Sequence, residues 1–156
     1  MDKKQTYRNM ALIHYKHLSG LIDDYTKNIH TLEKQQEIIA YTFSTLACIV
    51  AYADNYLDKN SNSIKACKYA YNMLKHDSSV VTFIEFKGGF AFTIEFPVEI
   101  PVFEVKWEFQ NFECKHSDQK DAFKKLFDKK TVIETLEPII NIIDTGENNN
   151  ETESNN

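Results

Sequence analysis

Histidine and cysteine are the residues of this chain best able to do chemistry, since imidazole titrates near neutral pH and both side chains ligate soft metals. His14 and His17 stand one helical turn apart, and Cys114 and His116 flank a single lysine. The two pairs together would supply four zinc ligands, but neither spacing is that of a recognised zinc module, and interfacial or half-buried histidines are commoner. No metal and no cofactor is therefore expected. A small hydrolase is the other chemistry within reach, with His14 and His17 working beside the carboxylates of Asp23 or Asp24. Glu33 and Glu37 also lie one turn apart, but near a helix start, where negative charge is favourable in any case. The chain has no HExxH helix, nucleophile elbow or phosphate loop, and its four glycines are too few to build a backbone cradle for phosphate.

Two local spacings suggest ligands until their context is added. Asp58-x-Asn60-x-Asn62 has the opening of a calcium-binding loop, yet position six is Ser63 instead of Gly and position twelve, which should be a bidentate carboxylate, is Tyr69. The segment reads as a polar turn between helices. Lys87-Gly88-Gly89-Phe90-Ala91-Phe92 resembles the RNP1 strand of an RNA-recognition motif over about eight residues. That strand belongs to a βαββαβ domain, whereas here a strand comes directly before it and three helices before that. The glycine pair reads better as a tight turn and the aromatics as core.

The elements that must hold these residues follow from hydrophobic period. Over residues 4–25, Tyr7, Met10, Ala11, His14, Leu18, Leu21, Ile22 and Tyr25 recur at three and four, the period of one helix face. Leu32, Ile39, Phe43, Leu46, Val50, Ala53 and Leu57 form a heptad-like seam on a long second helix, packed antiparallel on the first or paired between two copies of the chain. Ile64, Cys67, Tyr71 and Leu74 mark a third helix behind a Ser or Asn cap. The period then changes to two. Residues 80–87 and 90–96 read as a hairpin turning at Gly88-Gly89, with Lys87 facing Phe90, Glu85 facing Phe92, Phe83 facing Ile94 and Val81 facing Phe96. Pro97 and Pro101 bend the chain into a third strand, residues 103–109, with Phe103, Val105, Trp107 and Phe109 inward. Helices over 118–128 and 131–143 close the domain, with Gly146 as C-cap. The expected fold is α+β: an N-terminal helical hairpin plus a third helix, a three-stranded antiparallel meander and two C-terminal helices. It forms one domain over 1–146, followed by a disordered polar tail over 147–156.

Charge completes the reading. The net charge is −5, but residues 1–78 hold 10 Lys/Arg against 8 Asp/Glu and residues 79–156 hold 8 against 15. An acidic chain argues against binding nucleic acid through phosphates; that alternative would use Arg8, Lys16, Lys27 and Lys34 of the mildly basic half. The three cysteines suit free thiols in a reducing compartment, and the longest apolar run, 45–53, is far too short to span a bilayer, so a cytoplasmic protein off the membrane is expected. With Phe103, Val105 and Trp107 inward, Glu95, Glu104, Lys106 and Glu108 are expected on a solvated, acidic sheet face that attracts a basic protein. The expected function is a non-catalytic protein-interaction module: an adaptor, inhibitor, immunity-type protein or chaperone that binds through the sheet face or the helical hairpin.

Overall fold

The computed structural model describes residues 2–92, 97–111, 113 and 115–146, with 87–92 and 97–100 given by their backbone. The polar tail over 147–156 lies outside the described residues. Among the described residues, five α-helices and a two-stranded antiparallel sheet make an α+β fold.

Helix α1, Lys3–Lys27, buries Ala11, Leu18, Ile22 and Tyr25, steps of seven, four and three that keep one face inward. Helix α2, Leu32–Tyr56, starts at Thr31, whose hydroxyl accepts the Lys34 N–H at 3.2 Å. The break between them is short, so α2 returns antiparallel along α1. Gln35 donates to the Tyr25 hydroxyl at 2.9 Å, and the Lys34 ammonium lies 3.3 Å from Asp24.

The seam on α2 is displaced from its expected line. Ile38, Thr42, Thr45, Ile49 and Tyr52 form the centre of the buried face. Leu46 and Ala53 are buried beside them, Ile39, Phe43, Val50 and Leu57 are half-buried, and Leu32 is 69% exposed. Threonine hides the true face from a hydrophobicity pattern. Thr42 and Thr45 each donate to the carbonyl four residues back, Ile38 and Tyr41, at 2.7 Å, which satisfies both hydroxyls inside an apolar core. The half-buried flank lies on the side of α3, Asn62–Leu74: Phe43 stacks on Tyr71 with ring centroids 5.2 Å apart, and Lys68 reaches Asp54 at 2.7 Å. Ile39, Leu46, Val50, Ala53 and Leu57 of the seam pack on the chain's own core. At 25 residues α2 is long and apolar enough to cross a membrane by length and composition, a reach the 45–53 run alone did not suggest, while Ile38, Leu46, Ile49, Tyr52 and Ala53 are buried in the protein's own core.

The sheet differs from the expected meander. Strand β1, Val81–Phe92, runs straight through Gly88 and Gly89, and β2, Pro97–Trp107, pairs with it from Val81↔Trp107 to Phe92↔Pro97. The glycine pair sits at a bulge between Lys87 and Gly89, and residues 93–96, between the two strands, lie outside the described residues. Glycine serves a bulge as readily as a tight turn. The prolines are tolerated for a reason visible in the ladder. The Trp107 N–H donates to the Lys130 carbonyl at 2.9 Å and the Trp107 carbonyl accepts from Lys129 at 3.0 Å, so odd-numbered positions of β2 point their backbone groups away from β1. Pro97 and Pro101 are odd-numbered and cost the hairpin no hydrogen bond, so the segment expected to bend joins the strand. The third expected strand is thus the upper part of β2, two residues shorter than expected at its end.

Helix α4, Ser117–Leu126, buries Ala122 and Phe123 against α3, whose small Ala66, Cys67 and Ala70 allow close approach. Lys65 and Asp118 tie the two helices at 3.1 Å. Helix α5, Val132–Thr145, begins with a capping box between Thr131 and Glu134 and ends at Gly146, which takes the expected C-cap role at φ 71°.

Candidate functional site

Which sheet face is open follows from the pairs. Val81, Val105 and Trp107 are buried, and Phe83 and Phe103 pack on Tyr25 with ring centroids 5.2 and 6.1 Å away. Their face is inward. The α1–α2 turn closes over it, His30 stacking on Phe103 at 3.4 Å. Antiparallel partners share a face, so the opposite side carries Thr82 with Lys106, Ile84 with Glu104, and Phe86 with Val102. Phe86 is 41% exposed, and the other five are half-buried.

Glu104 and Lys106 lie on this outer face and form an ion pair with each other. Glu108, just past β2, pairs with Lys129, and its hydrogen bond is the first cause holding the Lys129 ammonium above its ordinary value. Glu95 lies outside the described residues. The structure thus brings Glu104, Lys106 and Glu108 to the base of the hairpin, each carboxylate with its own lysine. Beside them stands an apolar centre of Ile84, Phe86 and Val102. Sequence reasoning missed that centre, although its signal is present: residues 81–86 are apolar at both even and odd positions apart from Thr82 and Glu85.

The other predicted residues fall elsewhere. His14 and His17 both meet the ring of Tyr41, at 6.0 and 4.2 Å, and His14 Nδ1 is buried without a hydrogen-bond partner among the described residues. Asp23 is paired with Lys27. Asp24 accepts from Asn28 at 3.2 Å and meets Lys34, and these hydrogen bonds hold its carboxyl below the ordinary value. Cys114 is outside the described residues; His116 occupies the N-cap position of α4 without a side-chain capping hydrogen bond. Among the described residues no three His, Cys, Asp or Glu side chains gather as a metal site would require. Asp58 accepts the Asn60 N–H at 2.9 Å, the local turn expected of that segment.

Arg8, Lys27 and Lys34, three of the four cations weighed for nucleic acid, stand in ion pairs with Asp144, Asp23 and Asp24. A different cationic surface goes with α4, where Lys120 and Lys124 lie 5.6 and 4.4 Å from the Phe109 ring.

No family model, curated protein or solved structure matches this chain.

The two thiols described, Cys48 and Cys67, are free and buried, and burial raises both above the ordinary thiol value. Such thiols are poor nucleophiles and behave as small core residues. Tyr15 is raised to about 12, by burial first and then by Glu137, and its hydroxyl has no hydrogen-bond partner among the described residues.

Proposed function

We propose that this chain is a non-catalytic protein-interaction module, of the adaptor, inhibitor, immunity-type or chaperone kind, whose binding surface is the outer face of the β1–β2 hairpin. One observation carries the reading: Phe86, 41% exposed, stands with Ile84 and Val102 in the centre of a sheet face rimmed by the Glu104–Lys106 pair. An apolar centre with a polar rim is the anatomy of a protein-binding patch, where desolvated anchors supply affinity and rim charges supply specificity. Glu104 and Glu108 set the preferred partner. Their carboxylates give the rim its acidic groups, so a protein offering cations around an apolar knob suits the face.

The same geometry favours binding over the small-hydrolase alternative. Asp23 and Asp24 are engaged by Lys27 and by Lys34 with Asn28, and His14 and His17 lie beside Tyr41 with no carboxylate hydrogen-bonded to either among the described residues. The buried free thiols fit a reducing compartment such as the cytoplasm.

The test is to purify the tagged chain gently from its own host beside the Val102→Asp variant. A stoichiometric protein partner retained by the wild type and lost by the variant is expected. Equal recovery with both, or no partner with either, would contradict the proposal.

A further inference from the structure

We infer that the exposed side of α1 docks an acidic amphipathic helix from another protein, seated over Ile13 and Gly20 beside Lys16. This surface belongs to the helical hairpin and stands apart from the outer sheet face.

Helix α1 carries two stripes. Ala11, Leu18, Ile22 and Tyr25 are buried, while Met10, Ile13, His17 and Gly20 step by three, four and three and are all exposed. Ile13 is 66% exposed and Met10 41%, so apolar surface lies open along the second stripe. A narrow seam at this spacing is the one by which a helix meets another helix. Ile13, Lys16, His17, Gly20 and Leu21 line a shallow cleft of about 430 Å³ along it.

Gly20 is the gap in that seam. A Cβ built there would meet nothing within 4 Å, so the chain's own packing does not call for glycine at a mid-helix position where alanine is the better helix former. The missing side chain leaves a hole, and a large side chain on a facing helix fills it as a knob.

Charge decides what the facing helix brings. The chain has no Asp or Glu from Lys3 to Ile22, and the first carboxylates after them, Asp23 and Asp24, are held by Lys27 and Lys34. Lys16 has no ion-pair partner among the described residues. It flanks the seam just before His17, where charges on paired helices choose the partner, and a glutamate opposite satisfies it. A second α1 from another copy would bring cations to cations, so the occupant is a different, acidic chain. The seam from Met10 to Gly20 is about 15 Å long at 1.5 Å per residue. A contact this short supports a Kd on the order of 100 μM, too weak for a partner held here alone to survive purification.

Amide NMR of the full chain, titrated with a synthetic peptide of about three heptads with Leu at the seam positions and Glu at the flanking ones, tests this. Saturable shifts on residues 10–21 are expected, with a Kd on the order of 100 μM, while the matching peptide with Lys for Glu leaves those residues unmoved. Ile13→Asp and Lys16→Glu should each weaken binding of the Glu peptide about tenfold or more, and Lys16→Glu should gain binding of the Lys peptide at the same residues. Both positions are exposed, and the dispersion of each spectrum shows that the variant folds. Should one variant fail to fold, the other carries the same prediction. No saturable shift on α1 up to about 1 mM Glu peptide would overturn the inference. So would equal binding of the two peptides there, or variants that bind the Glu peptide as tightly as wild type.

Discussion

The indole N–H of Trp107 donates to the Thr135 hydroxyl at 2.7 Å, in a pocket where the Trp107 ring stacks on Phe127 at 5.4 Å and meets the edge of Phe123 at 6.0 Å. This bond joins the end of β2 to the first turn of α5. Thr135 is itself anchored, donating to the Val132 carbonyl at 2.9 Å. Thr135→Val keeps the shape and strands the buried indole donor, which costs about 1–3 kcal/mol. Urea denaturation should show a lower midpoint with an unchanged slope.

The α2 face can be tested by contrast. Ile49 is fully buried, so Ile49→Ala is expected to cost about 2–5 kcal/mol through lost transfer energy and the cavity left behind. Leu32, a member of the expected seam, is 69% exposed, and Leu32→Ala should change stability by less than about 0.5 kcal/mol. Thermal melts of the two variants distinguish the observed face from the heptad line.

Pro138 lies inside α5 and is exposed. It removes one N–H from the helix ladder and crowds the carbonyl four residues back, while also stiffening the unfolded chain. Pro138→Ala should stabilise the protein by about 1–2 kcal/mol, read as a higher melting temperature.

Acid stability depends on several carboxyls held below their ordinary values: Glu134 by the Thr131 hydroxyl, Asp118 by Lys65, Asp24 by Asn28 and then Lys34, and Asp77 by Ser79. A carboxyl whose folded pKa is depressed contributes stability above its unfolded value and loses it as pH falls through the folded one. Unfolding midpoints should therefore hold through neutral pH and drop below about pH 4. Thr131→Ala removes the capping box, lowers stability at neutral pH by about 1 kcal/mol and makes the acid drop shallower. Denaturant midpoints of both proteins between neutral pH and strong acid check the sign.

Long periodic helices were legible because each core face repeats at helical spacing for many turns: α1 through Leu18, Ile22 and Tyr25, and α5 through Leu136, Ile140 and Ile143. The Trp107 alternation was legible for the same reason at period two. What failed were positions where chemistry depends on geometry. Thr42 and Thr45 look polar until their hydroxyls fold back on their own helix. Gly88-Gly89 fits a turn or a bulge equally, and only the long-range pairing of β1 with β2 decides. Glu104 and Glu108 could be placed at the sheet, but their lysines could not: Lys106 is a strand neighbour, whereas Lys129 arrives from the turn between α4 and α5.

The outer face of the hairpin as a protein-binding surface is tested most directly by site-specific photocrosslinking in the native host. A photoreactive residue is placed at Glu104 on that face and, as control, at exposed Lys125 on α4. The account predicts one discrete adduct with a different protein from position 104 and none from position 125, any self-adduct being separable by mass. No heterologous adduct at 104, or the same adducts from both positions, would contradict it.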